Sequence, residues 1–160
     1  QYVDIVKGED TIRVFNIHLQ SMKFTDVNRS YIDNPSIESK KDLQKTKSVI
    51  AKIKAGFLKR KVQSDRIKTA INESPYPVIV CGDFNDVPNS YAYQTIGRGL
   101  QNAFAEKGAG LGRTFTSISP TLRIDNIFVS RKYVINQYTR VERKLSDHYP
   151  IFTDIIKKTN

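Results

Sequence analysis

The stretch Pro77-Val78-Ile79-Val80-Cys81-Gly82-Asp83-Phe84-Asn85 constrains this chain more than any other. Four apolar residues in a row, three of them β-branched, predict a short strand buried on both faces. The run stops at Gly82 and delivers a carboxylate and a carboxamide two residues apart. In extended chain, residues i and i+2 share a side, so Asp83 and Asn85 would face one site together. A carboxylate beside an amide suits a water or a metal next to a phosphate. An Asx turn ending the strand is the blander reading of the same residues, and for this stretch alone the better one.

The segments before and after supply the layers around that strand. Tyr2 to Lys7 and Thr11 to Leu19 alternate as strands around the turn Gly8-Glu9-Asp10, which predicts a β-hairpin. In the second of these, Asn16 and His18 lie on one face while Arg13, Phe15 and Ile17 lie on the other. Gln20 to Ser36 is polar, broken by Asn34-Pro35, and reads as a long surface loop. Ser36-Ile37-Glu38-Ser39 offers N-caps for a basic helix over 38–72. Leu43, Ile50, Ile53, Phe57, Ile67 and Ile71 are expected to form its apolar stripe, packed on a sheet. That stripe falters near Arg60 and Ser64, with Gly56 mid-run, which allows a bend or two helices. Ser74-Pro75-Tyr76-Pro77 ends the helix, and a short helix follows from Ser90 to about Ile96. Strands are expected over Leu122–Val129, Tyr133–Val141 and Tyr149–Ile156. Helices against one sheet, in the order hairpin, helix, strand, helix, three strands, make a mixed α/β (α+β) layer fold. No linker or repeat divides residues 1–160, which are expected to be one domain.

Composition narrows the function classes. At 160 residues and 39% hydrophobic content the chain has the make-up of a globular domain. It holds no signal or transmembrane segment. Cys81 is the sole cysteine, so no internal disulfide forms, and its place in the strand predicts a packing role. The net charge of +10 suits a polyanionic partner, but eleven of the Lys and Arg residues fall between Lys40 and Lys68. A run of that kind is usually a solvated helix face. The Gly108–Gly112 loop lacks the Gly-Lys-Ser/Thr ending of a nucleotide cradle.

Two histidines remain, each at the end of an expected strand. Asp125 is a charged group in an otherwise apolar strand and needs a partner to offset its desolvation. A histidine beside it would be one, and a carboxylate-oriented histidine is a standard acid/base unit. The segments Asn16-Ile17-His18-Leu19, Gly82-Asp83-Phe84-Asn85, Arg123-Ile124-Asp125 and Ser146-Asp147-His148 occur here in an order that resembles the endonuclease/exonuclease/phosphatase (DNase-I-like) superfamily. The resemblance runs from about Tyr2 to Ile155.

That resemblance implies a divalent-metal-dependent phosphoesterase, which cleaves a phosphodiester or phosphomonoester by in-line attack of an activated water. Asp83 would orient or deprotonate the water, and Asn85 would hold a phosphoryl oxygen. His148, paired with Asp125, would stabilise charge on the phosphate. Asp147 would position Mg²⁺ or Mn²⁺, and His18 with Asn16 would contact the phosphate from the other side. The fold implied is a four-layer α/β/β/α sandwich, of which this chain resembles the C-terminal half. The missing N-terminal half would carry an Asn and the Glu that is the main metal ligand. Two further expectations follow: the fragment alone is inactive, and its exposed apolar sheet face drives self-association. Asn126 stands where relatives often carry a larger aromatic residue or His. Substrates of the class include nucleic acid, lipid headgroups and sugar phosphates. The rival reading is an inactive polyanion-binding module that uses the basic helix.

Overall fold

The computed structural model describes residues 1–22, 24–35, 39–116, 121–143 and 145–158. A mixed five-stranded sheet has the order β1-β2-β3-β5-β4, from β1 (Tyr2–Lys7), β2 (Asp10–His18), β3 (Val78–Asp83), β5 (Asp125–Ser130) and β4 (Leu100–Asn102). The helices are α1 (Asp26–Asp33), α2 (Lys40–Asn72), α3 (Tyr91–Gly97) and α4 (Ala103–Lys107). A second sheet consists of β6 (Tyr133–Arg140) and β7 (Ile151–Lys157), paired antiparallel. β1 and β2 form the expected hairpin, and α2 carries the chain over so that β3 lies parallel to β2.

Alternation along β2 and β3 separates two cores. Phe15, Ile17, Val78 and Val80 face the helices and pack with Ile71, Ala92, Ile96 and Phe128. On the opposite face Ile127 and Val129 meet Ile135, with Ile151 and Ile155 from the second sheet against them. Helices, sheet and second sheet therefore stack in layers, which is the fold class expected.

Several sequence expectations need correction. The loop over Gln20–Ser36 contains α1, because Thr25 and Asn28 form a capping box: the Thr25 hydroxyl accepts from the Asn28 N–H and the Asn28 side chain accepts from the Thr25 N–H, both at 3.3 Å. The short β4 and α4 were not anticipated; Asn102 caps α4 by accepting from the Ala105 N–H at 3.0 Å. The last strand starts at Ile151 rather than Tyr149. For α2 the cap is Ser39, whose side chain accepts from the Asp42 N–H; residues 36–38 lie outside the described residues.

The apolar stripe of α2 is corrected most. The helix is one element, and Leu43, Ile50, Ile53 and Phe57 are exposed. The buried positions include Gly56, Arg60 and Ser64, the places where the stripe had faltered. A row of residues seven apart drifts by about 20° per step around a straight helix. The row Leu43, Ile50, Phe57, Ser64, Ile71 thus begins on an outer flank and reaches the sheet only at Ser64 and Ile71.

Candidate active site

Three neighbouring strands end in one row of polar side chains. His18 of β2 lies opposite Asp83 of β3, and Asp83 lies opposite Asp125 of β5. Cross-strand partners share a face, here the one turned away from α2. The His18 Nε2 is 3.5 Å from Asp83 Oδ2, with the imidazole largely exposed. Gly82 makes the row closable: its φ is +138°, and an added Cβ would lie 1.9 Å from the Ile17 carbonyl oxygen. Only glycine lets β3 come so near to β2 there.

Asp83 and Asn85 follow the Asx-turn reading, and the extended-chain argument for their sharing a side is corrected. The chain is not extended through Asn85, which has φ +47°. Its backbone N–H donates to Asp83 Oδ1 at 2.7 Å, an Asx turn, and its amide Nδ2 donates to Asp83 Oδ2 at 2.8 Å and to the Leu19 carbonyl at 2.9 Å. Asn85 therefore faces Asp83 because the turn folds it back.

His148 arrives from the segment before β7. Its Nδ1 is 2.8 Å from Asp125 Oδ2, and the Phe115 ring packs against the imidazole with centroids 5.0 Å apart. Thr114, wholly buried, ties these pieces together. Its hydroxyl accepts from the Ile124 and Asp125 N–H groups at 3.0 Å each, while its carbonyl accepts from the Tyr149 N–H at 2.7 Å. Neither Thr114 nor Phe115 was singled out from the sequence, since Arg-Thr-Phe-Thr carries no pattern that distinguishes it from an ordinary loop.

Donor atoms of Asp83, Asp125 and His148 lie within 4.8 Å of one another, the one such group of three among the described residues. Asp147 is exposed and outside it, though its charge acts on His148. Asn16 is exposed on the His18 face, one step back along β2 and opposite Cys81. Asn126 points to the other face, buried, and accepts from Arg123 Nη1 at 3.0 Å.

The electrostatics follow from this crowding. Burial pushes the Asp83 carboxyl above the ordinary carboxylate range; the Asn85 N–H pulls against that, the Asp125 charge adds to it, and both histidines oppose it. For His148, burial acts downward, but the Asp125 hydrogen bond and the charges of Asp125, Asp83 and Asp147 outweigh it. The imidazole is held above its ordinary value. Burial also raises the Cys81 thiol, whose Sγ donates to the Phe15 carbonyl at 3.5 Å, as expected of a packing residue.

The structure is similar to an endonuclease/exonuclease/phosphatase from Bacteroides vulgatus, with TM-score 0.56 and 27% identity over 64% of this chain and 46% of that one. It is similar to a humanized D. rerio TDP2, with TM-score 0.62 and 16% identity, covering 98% of this chain and 59% of the other. A mannosyl-6-phosphatase from Bacteroides thetaiotaomicron aligns with TM-score 0.53 and 19% identity over 93% and 52%. The chain thus spans about half the length of these structures. A search of curated proteins gives no match. Among the described residues no helix is long and apolar enough to cross a membrane. Residues 54–148, which hold Asp83, Asn85, Asp125 and His148, match the Endonuclease/Exonuclease/phosphatase family, and the chain belongs to that family.

Proposed function

We propose that this chain is the C-terminal half of a divalent-metal-dependent phosphoesterase domain and carries its water-activating and phosphate-binding side. One observation supports the reading most: Asp125 orients His148 at 2.8 Å beside Asp83, a second carboxylate with an upward-shifted pKa. A raised pKa makes Asp83 a stronger base for the attacking water. In the step proposed, the water oxygen bonds to phosphorus on one side as the ester P–O bond breaks on the other; Asp83 takes the water's proton, and the leaving alkoxide takes a proton from solvent. His148, whose pKa its acidic neighbours hold above the ordinary imidazole value, stabilises charge spreading over the phosphoryl oxygens. His18 and Asn16 approach the phosphate from the β2 side. Asn85 acts first on Asp83, and a phosphoryl oxygen would compete with the Leu19 carbonyl for its amide.

The two carboxylates of the cluster, Asp83 and Asp125, fit a hard cation such as Mg²⁺ or Mn²⁺, which prefers oxygen donors and keeps several waters. Asp83 and Asp125 would hold it, and Asp147, outside their cluster, would help position it. When bound, the cation supplies charge neutralisation at the phosphate. The remaining metal ligand, a Glu, belongs to the N-terminal half. The same half would cover the exposed apolar residues of β1 and β7, among them Val3, Ile5, Phe152 and Ile156. Without it the fragment is expected to self-associate.

The test is hydrolysis of bis-(p-nitrophenyl) phosphate, plasmid DNA and a panel of phosphomonoesters and phospholipids by the full-length product with Mg²⁺ or Mn²⁺. Turnover that stops with chelator and falls by about a hundredfold or more in His148→Ala is expected. Inertness on the whole panel would leave the polyanion-binding reading in its place.

A further inference from the structure

The corrected face of α2 carries an inference that is independent of the phosphoesterase reading. Leu43, Ile50 and Phe57 stand seven residues apart with Ile53 among them, exposed by 51%, 58%, 41% and 42%. Four residues after each member of that row comes a lysine: Lys47, Lys54 and Lys61. On a helix this places a lysine row along one border of an apolar ridge. Lys61 is engaged with Asp65, whereas Lys47 and Lys54 have no hydrogen-bond or ion-pair partner among the described residues. The other border is the protein itself, through Val49, Gly56 and Arg60. The helix-side core takes only Ile67, Ala70 and Ile71 from α2, so the ridge is not core left ajar.

We infer that the first half of α2 is a docking face for an anionic lipid surface, with the Leu43-Ile50-Ile53-Phe57 ridge entering the headgroup boundary and Lys47 and Lys54 contacting acidic headgroups. An apolar ridge bordered by lysines is the pattern of helices that lie in a membrane interface. From Leu43 to Phe57 the ridge is roughly 20 Å long. An antiparallel second copy of the chain fits poorly, because pairing the ridges then brings the two lysine rows together. Nucleic acid has use for the lysines but not for four exposed apolar side chains. The segment is too charged to span, and it lies on the surface instead.

The chain contains no tryptophan, so Phe57→Trp gives a single reporter inside the ridge. We expect its emission to shift to the blue with phosphatidylcholine vesicles containing phosphatidylglycerol, and not with phosphatidylcholine alone. Binding should weaken about tenfold or more in high salt. The pair Lys47→Glu/Lys54→Glu should weaken it by on the order of a hundredfold or more. Ile50→Ser should weaken it as well, whereas Val6→Ser, equally apolar and exposed on β1, should not; circular dichroism checks that each variant keeps its helix. No blue shift with anionic vesicles would overturn the inference, as would binding unchanged by the charge reversal. An equal loss in Val6→Ser would reduce the effect to general stickiness. A reporter already blue-shifted without vesicles would mean that another copy covers the ridge.

Discussion

Arg60, near the middle of α2, meets Asp86, next to Asn85, in a buried ion pair with Nε 2.7 Å from Oδ2 and both side chains at least nine-tenths shielded. The same guanidinium donates through Nη1 to the Gln20 carbonyl at 3.1 Å. One side chain on the helix layer thus fixes the turns that follow β2 and β3, the turns that deliver His18, Asp83 and Asn85.

Removing either partner strands a charge in a dry site. Arg60→Ala and Asp86→Ala should each cost about 3–5 kcal/mol in urea unfolding. The double variant should lose clearly less than the sum of the two, since it leaves no orphan charge. Additive losses would show that the two groups do not act as a pair.

Thr114→Val keeps the shape and deletes the acceptor shared by the Ile124 and Asp125 N–H groups. We expect a loss of about 2–3 kcal/mol in thermal or urea unfolding. A looser Asp125 should also let the His148 titration fall back toward that of an ordinary histidine. A pure loss of stability with the titration unmoved would count against a positioning role.

Gly82→Ala places a Cβ against the Ile17 carbonyl at 1.9 Å, at a φ that L-residues avoid. The strand pair β2–β3 must then separate, and destabilisation of at least about 4 kcal/mol is expected in a melt. Gly99→Ala is the control: φ there is +83°, but a Cβ would have no atom within 4 Å, so only the backbone strain of about 1–2 kcal/mol remains.

Asp83 and His148 both have pKa values raised by folding, for different reasons. A raised folded value means that the native state binds the proton more tightly than the unfolded chain. The stability each contributes is complete below its unfolded value and is lost as pH rises through its folded one. Two windows follow, one just above the ordinary carboxylate range and one above about 6.5. In NMR titration the His148 ring should titrate above that value, and Asp125→Asn should bring it down. A ring unaffected by Asp125→Asn would refute the pairing.

The polar row was legible in the sequence because its residues sit at the ends of short, strongly patterned strands. Alternation along Thr11–Leu19 put Asn16 and His18 on one face, and an isolated carboxylate in an apolar strand called for a partner, which is His148. Thr114 was not legible, since a hydroxyl that accepts from two backbone N–H groups is defined by chain segments that meet only in three dimensions. The helix face was misread for a geometric reason: steps of seven look like one stripe in sequence, yet 3.6 residues per turn carries them around the rod. Arg60, which seemed to interrupt the stripe, is the side chain that the interior holds. β4 and α4 are too short to show a period at all.

The row His18, Asp83, Asp125 exists only in one register of two strand pairings, one parallel and one antiparallel. A slip of one residue in either would turn a member of the row toward α2. Length changes should therefore be sorted sharply by position. One residue added between Arg13 and Ile17 would silence the site even if the strand still forms, whereas one added in the turn Gly8-Glu9 would leave it intact. Insertion scanning across this domain should trace the strands as narrow bands of intolerance separated by permissive turns.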